Sequence, residues 1–466
     1  MKKSIRICTI IIILILMLVV GVSLTQARQT GNDLLSTITS HPANFPWFGE
    51  YVDISPNLTH VGTYTSLALR PYDDYPMISY YDQNHGALML AVPTKPGYGS
   101  CGENDNWNCM TLDQTGDVGQ YTSIDVWGES SDNRKYGISY YDATNRSLKF
   151  RIISCVDDDC TGGNITISSP VFNYMSVGLY TSLKFDPTGT PHIAYQAIDS
   201  NMNNNSLRYA SYVGSGGNCG EGTDTGKWQC EIIDFGNGIG QYISLDLTYD
   251  GSPYLAYYDA GMGNLKWAYY TGFADPDCFS ENGWVCPVLD SVGNVGLYAS
   301  ITAQHSYTDK LYRVAYYDKT NGYLKYYDSE FGPVVVDDMG TSSSPMGISM
   351  DVDKEGYPVI AYQQITSDLS SPTLNVVRPY LAFDDGAMGN CGDEPPGYLF
   401  QYWRCNVLDN AGQFLSEAEF VSLAVSSTGL TKIAYSEFYG YDQGENSTSL
   451  KFITQRFQVH LPLMTK

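Results

Sequence analysis

Short runs of β-branched and aromatic residues, each bounded by Gly, Pro, Asn or Asp, recur along this 466-residue chain. Apolar runs of that length between turn residues predict strands, and outside the first residues nothing reads as a long amphipathic helix. The run Val61-Gly-Thr-Tyr-Thr-Ser-Leu-Ala-Leu69 returns in near-copy at Val118, Val177, Ile239 and Val295, and in degraded form around Ser344 and Phe420. Aligning the copies on one serine gives Ser66, Ser123, Ser182, Ser244, Ser300, Ser349 and Ser422. A unit of roughly 50 to 70 residues repeated seven times is an array.

Three further phrases follow each serine. The second ends in paired aromatics, often with an aspartate: Ile78-Ser-Tyr-Tyr-Asp82, Ile138-Ser-Tyr-Tyr-Asp142, Leu255-Ala-Tyr-Tyr-Asp259 and Val314-Ala-Tyr-Tyr-Asp318, shortened at Tyr195, Tyr362 and Tyr435. The third couples Leu to a cation and an aromatic, as in Leu148-Lys-Phe150, Leu207-Arg-Tyr209, Leu265-Lys-Trp267, Leu324-Lys-Tyr326 and Leu450-Lys-Phe452. The fourth carries Trp, Cys and a closing Asp, from Trp107 to Asp113, Trp228 to Asp234, Trp284 to Asp290 and Trp403 to Asp409. Turns such as Asp186-Pro-Thr-Gly189, Asp250-Gly251 and Asp353-Lys-Glu-Gly356 join the first two strands, with Asp accepting backbone amides and Gly taking positive φ.

Four antiparallel strands repeated seven times predict an all-β fold, a seven-bladed β-propeller in which each small sheet buries its faces against two neighbours. Closure has its own signal. Glu50-Tyr-Val-Asp-Ile-Ser55 stands before the first repeat where the fourth-strand phrase stands before the others, so the N-terminal strand is expected to complete the seventh blade. The alternative is a solenoid with free ends.

The boundaries then read as a leader over 1–27, a linker over 28–46, the propeller over 47–457 and a tail over 458–466. The leader opens with Lys2, Lys3 and Arg6, runs apolar from Ile7 to Leu24 and ends Thr25-Gln-Ala27. It fits a secretory signal peptide or an uncleaved transmembrane anchor, either of which places the protein outside the cytoplasm, secreted or at the cell surface. Ten cysteines beyond Cys8 fall in local pairs: Cys101 with Cys109, Cys155 with Cys160, Cys219 with Cys230, Cys278 with Cys286, Cys391 with Cys405. Each pair stands between third and fourth strands, which predicts five disulfides stapling blade hairpins. Zinc half-sites are the competing reading, weakened because no His-rich segment lies near them. With 26 Lys and Arg against 50 Asp and Glu, the formal charge is -24. That surface excludes nucleic acid as a partner and suits cations or neutral sugars.

In a blade whose first strand lines the channel, Asp82, Asp142, Asp259 and Asp318 share one rim with Tyr64, Tyr121, Tyr180, Tyr242 and Tyr298, and with Asp113, Asp234, Asp290 and Asp409. A ring of carboxylates and phenols is a candidate seat for carbohydrate or calcium. The simpler reading of residues repeated in nearly every blade is upkeep of the fold, with Asp capping turns and Tyr packing between blades. Asp351, Asp353 and Glu355 alternate before Gly356 like the start of a calcium loop, although Tyr362 stands where a closing Glu would be. Trp107, Trp228, Trp284 and Trp403 are either sugar-stacking platforms or shields for the neighbouring cysteines. No Gly-x-Ser-x-Gly, His-Glu-x-x-His or phosphate loop occurs, and the six histidines are scattered. No catalytic residue is nominated and no cofactor is expected, calcium being the one candidate.

The phrases Gly-x-Tyr-x-Ser-Leu, Gly-x-Pro-x-Ile-x-Tyr-Tyr-Asp and Leu-Lys-Tyr resemble repeats of exported bacterial propellers similar to the fucose-specific lectin and sialidase-like superfamilies. The resemblance implies the propeller over nearly all of the mature chain. Its sites do not carry over. The Ser-x-Asp-x-Gly-x-x-Trp turn of sialidase-like proteins is absent, and Arg70, Arg134, Arg146, Arg208, Arg313, Arg378 and Arg404 recur at no common repeat position. The expectation is a monomeric, non-enzymatic binding protein that recognises a glycan or a surface protein through its rim. A carbohydrate-active hydrolase or lyase with one site over the channel, and an adhesion or scaffold module, are the alternatives.

Overall fold

The computed structural model describes residues 46–54, 60–130, 133–156, 159–168, 175–199, 204–273, 275–279, 283–303, 311–341, 344–365, 373–380, 389–393, 402–410, 420–440 and 446–456. The chain divides after residue 45, and everything described belongs to the second of its two units. The expected leader, the tail and most of the linker lie outside the described residues. Among those described, no helix is long and apolar enough to cross a membrane.

Seven antiparallel sheets follow one another along the chain, each of four strands in sequence order. Blade 1 consists of Val61–Leu69, Pro76–Asp82, Ala87–Pro93 and Trp107–Asp113. In blade 4 the fourth strand is split into Trp284–Val285 and Val288–Asp290, because Pro287 brings no N–H to the ladder. Blade 7 takes its outer strand from the other end of the chain. Trp47–Asp53 pairs antiparallel with Asn446–Gln455, from Trp47 opposite Gln455 to Asp53 opposite Leu450, so the ring is closed and the solenoid is ruled out.

The core lies between blades rather than within them. Seven apolar clusters each join residues of two neighbouring sheets, as where Ala194 and Leu207 of blade 3 meet Leu245 and Trp284 of blade 4. The fourth-strand tryptophans Trp107, Trp228, Trp284 and Trp403 are at most 1% exposed. Each meets an aromatic on the third strand of the preceding blade edge-on, Trp107 on Phe452, Trp228 on Phe150, Trp284 on Tyr209 and Trp403 on Tyr326. They are core residues and offer no platform to a sugar.

The repeated serine closes a second ring. Ser66 Oγ accepts the backbone N–H of Ile124 in the next blade at 3.1 Å. The same bond runs from Ser123 to Leu183, Ser182 to Leu245, Ser244 to Ile301, Ser300 to Met350, Ser349 to Leu423 and Ser422 back to Leu67. The first strand is the inner edge of each blade and lacks a ladder partner on that side. A serine hydroxyl from the neighbour satisfies one of its amides. The glycine four residues before the serine serves the same junction. At Gly119, with φ of 111°, a Cβ would come within 2.8 Å of Leu88 Cα on the preceding blade, so only glycine fits.

A third junction explains the closing aspartates. Asp290 of blade 4 accepts the Tyr316 hydroxyl at 2.6 Å and the Lys325 ammonium at 2.5 Å, both from blade 5. Asp113 and Asp234 repeat this with Tyr140 and Lys149, and with Tyr257 and Lys266. Asp53 and Asp337 keep only the tyrosine, Tyr80 and Tyr362, since Met89 and Asn375 stand where the lysine would be. Burial works to raise the Asp290 carboxyl, but hydrogen bonds from Lys325 and Tyr316 outweigh it and hold the group below the ordinary carboxylate range. Asp113, Asp234 and Asp290 are therefore buried between blades and not displayed on the rim. The Asp409 side chain lies outside the described residues.

Four disulfides are formed as paired in the sequence reading: Cys101–Cys109, Cys219–Cys230, Cys278–Cys286 and Cys391–Cys405. Cys155 and Cys160 face each other across a hairpin, their side chains lying outside the described residues. The cysteine loops reach to the preceding blade: Gly220 N–H donates to Ile167 O and Asp393 N–H to Val335 O, each at 2.9 Å.

Candidate functional site

Two residues before the ring serine, the first strand of blades 1 to 6 carries an extra residue. In blade 1 the register slips between Thr63, opposite Tyr81, and Ser66, opposite Ser79. Such a bulge re-aims one side chain. The residue re-aimed is Tyr64, and its equivalents are Tyr121, Tyr180, Tyr242 and Tyr298. All five stand in the left-handed region, with φ between 49° and 55°, where a tyrosine costs on the order of 1 to 2 kcal/mol that glycine would not. Five repetitions of that strain set these phenol rings around the channel mouth.

The rings form a continuous arc. Centroids lie 4.6 Å apart from Tyr64 to Tyr121, 4.8 Å to Tyr180, 5.2 Å to Tyr242 and 4.5 Å to Tyr298. Successive rings tilt by 45° to 60°, close to the one-seventh turn between blades. On the other flank Phe420 of blade 7 sits 4.4 Å from Tyr64. Blade 6 supplies Gly347 at the corresponding position, so the arc of six aromatics has one gap, between Tyr298 and Phe420. Within it lies a cavity of about 200 Å³ whose floor is the next residue of each first strand, among them Thr65, Thr122, Ile243 and Ile348.

The cup's chemistry is narrow. Its described lining contains no carboxylate, imidazole, ammonium or guanidinium. The phenols of Tyr64 and Tyr121 are hydrogen-bonded to each other, as are those of Tyr242 and Tyr298. Burial, reinforced by the surrounding phenols, pushes the Tyr180 hydroxyl well above its ordinary range, so the cup is uncharged at neutral pH. Below, the Thr122 hydroxyl donates to Ser79 and that of Thr181 to the Tyr121 carbonyl.

The sequence-predicted aspartates do not line this cup. Asp82 Oδ1 accepts the amides of Asn84 and His85, Asp142 that of Asn145, Asp259 that of Met262 and Asp318 that of Asn321. Each caps the turn that follows its own strand. Asp351, Asp353 and Glu355 are also spread apart: Asp353 Oδ1 accepts the amides of Glu355 and Tyr357 inside the hairpin turn, Glu355 reaches Lys354, and Asp351 Oδ2 accepts Val425 N–H at the channel wall. Among the described residues, the one set of three donor atoms within metal-binding reach is Asp337 with Cys391 and Cys405, and those cysteines are joined in a disulfide.

Charge is found deeper. Two residues past the ring serines stand Asp125, Lys184, Asp246 and Asp351. Asp125 accepts Phe185 N–H and Asp246 accepts Ala303 N–H, while Lys184 Nζ lies 3.8 Å from Asp246. Burial opposes the Lys184 charge, but Asp246, Asp125 and Asp351 together raise its pKa above the ordinary lysine value. Three carboxylates thus share one ammonium below the cup. Sequence reasoning named Asp351 only as part of a calcium loop and missed the rest of this layer, and it did not place Phe420 or Gly347 at the channel; counting two residues either side of each ring serine finds all of them.

No family model matches this chain, and no curated protein does. Solved structures of similar architecture include the Hadza microbial sialidase Hz136, with 10% identity and a TM-score of 0.45 over 88% of this chain and 68% of that one. The SapL1 lectin in complex with alpha methyl fucoside has 13% identity and a TM-score of 0.37 over 70% of this chain and 94% of that one. The Penicillium chrysogenum alpha-L-arabinanase complexed with arabinobiose has 12% identity and a TM-score of 0.40 over 68% and 94%. The chain is a seven-bladed β-propeller, with lectin, sialidase and arabinanase propellers among its distant structural neighbours. Likeness at this distance says nothing about ligand or chemistry.

Proposed function

We propose that this is an exported, non-catalytic binding protein whose ligand, a glycan or another surface molecule, is held in the aromatic cup over the channel. One observation carries the reading: five tyrosines keep a strained backbone to present a ring-walled cavity, and the cavity's described wall holds no acid–base pair. Most glycosidases hydrolyse with two carboxyl groups about 5 to 10 Å apart at the substrate, and the described wall supplies neither of them. Aromatic walls with few polar groups suit capture. Disulfides on four blades favour an oxidising, extracytoplasmic setting.

The test pairs a glycan and surface-ligand array with turnover assays on chromogenic glycosides, using the wild type and Tyr180→Leu. Binding that the variant loses, without turnover, supports the reading. Turnover by the wild type returns the hydrolase, and binding untouched by Tyr180→Leu moves the site off the cup.

A further inference from the structure

The tyrosine cup is built for a ligand that needs ring surface and negative potential rather than many directed hydrogen bonds. A neutral sugar presents several hydroxyls, and burying them unpaired is costly. The cup answers with little. Four of its five phenols are hydrogen-bonded in pairs, Tyr64 with Tyr121 and Tyr242 with Tyr298, and the Thr122 and Thr181 hydroxyls of the floor donate to protein acceptors, which leaves the Tyr180 phenol and the unpartnered Thr65 hydroxyl as the polar groups on offer.

An alkylated ammonium group makes the opposite demand. It carries methyl groups and a diffuse charge, donates no strong hydrogen bond, and is attracted to aromatic rings within about 6 Å of their centroids. Six aromatic rings at centroid spacings of 4.4 to 5.2 Å enclose the cavity. The field has the matching sign. Asp125, Asp246 and Asp351 stand in the channel below around the Lys184 ammonium, on a chain of formal charge -24. A narrow opening with low-dielectric walls concentrates that negative potential at its mouth. An anion is disfavoured by the same charges.

We infer that the cup recognises a quaternary or otherwise alkylated ammonium group carried by the ligand, with the ring wall from Tyr64 to Tyr298 and Phe420 as its contact surface and the channel carboxylates as its electrostatic complement. This inference rests on the cup being a ligand site, as proposed above. The gap at Gly347 is the side from which the rest of the ligand leaves the arc.

The experiment titrates the full-length protein with tetramethylammonium and choline, and with 3,3-dimethylbutan-1-ol, the uncharged carbon counterpart of choline, following tyrosine fluorescence and heat. Choline is expected to saturate the site at least ten-fold more tightly than its neutral counterpart. Tyr180→Leu, which removes a ring and keeps a side chain in place, is expected to weaken choline at least ten-fold. Asp246→Asn is expected to weaken it less, and more at low salt than at high salt. Equal affinity for choline and the neutral alcohol overturns the inference. Array binding of an uncharged glycan, lost in Tyr180→Leu but with no response to either cation, also overturns it while leaving the cup as a binding site. No response to any probe or array ligand removes both.

Discussion

Ser422 in the last blade accepts the backbone N–H of Leu67 in the first at 2.9 Å, across 355 residues of chain. The bond is the closing member of seven like it, and each lies on the inner edge of a blade where no strand covers the amide. Replacing a ring serine by alanine leaves that amide without its partner, at a cost of about 1 to 3 kcal/mol where water cannot enter. Ser422→Ala and Ser244→Ala are therefore expected to lose similar stability in denaturant titrations. A large loss at Ser422 and none at Ser244 would mean that closure, rather than the inner ring as a whole, depends on these bonds.

The closing strand is expected to be indispensable. Trp47–Asp53 supplies the outer edge of blade 7 and places Tyr51 and Val52 against that blade and its neighbour. Deleting 28–58 should abolish cooperative unfolding, read by circular dichroism and tryptophan fluorescence together. An unchanged transition would argue against a closed ring.

The buried carboxylate of Asp290 ties stability to pH. Its folded pKa is depressed, so the stability it contributes is present above the unfolded value of about 3.9 and is lost as pH falls through the lower folded value. Asp290→Asn leaves the Lys325 ammonium buried without its counter-charge, which costs about 3 kcal/mol. The variant should show a reduced acid dependence below about pH 4, with the equivalent depressed carboxyl of Asp113 still contributing. If its acid transition matches the wild type in slope, the junction is not what acid breaks.

The channel layer has the opposite sign. Burial raises the Asp125 and Asp351 carboxyls, so their ionisation works against the folded state and protonation favours it. Lys184→Met removes the shared ammonium and should leave a protein less stable at about pH 7 than at about pH 5, the reverse of the acid loss at Asp290. Thermal melts at the two pH values decide this.

Backbone strain at the cup gives an unusual ordering. Tyr180 has φ of 49°, where leucine is as unfavourable as tyrosine and glycine is not. Tyr180→Gly is expected to unfold at higher denaturant than Tyr180→Leu, by about 1 kcal/mol, despite burying less apolar surface. The reverse order would show that ring packing outweighs the strain.

How much of this was legible depends on how local each feature is. The strand phrases, the four cysteine pairs Cys101–Cys109, Cys219–Cys230, Cys278–Cys286 and Cys391–Cys405, and the leftover strand before Val61 are set within a few residues of chain or by repetition, and the structure holds them as read. The same phrases listed Asp82 and Asp290 alike as rim carboxylates, yet one caps its own turn and the other crosses to Tyr316 and Lys325 of the next blade. Nothing in the spacing separates them, because the partners belong to different sheets. Tyr64 read more simply as packing between blades than as ligand wall until the bulge before Ser66 set its direction.

The sequence by itself determined seven copies of a four-stranded unit, their closure and their staples, since alternation, turn chemistry and repetition act along the chain. Only the tertiary structure decided that tryptophans would be sealed between blades, that serines would be spent on neighbouring amides, and that six aromatics with one gap would surround a cavity above three carboxylates. Those outcomes depend on which faces meet when the ring closes, and a residue's neighbours across a blade junction are fixed by packing in space rather than by position in the chain.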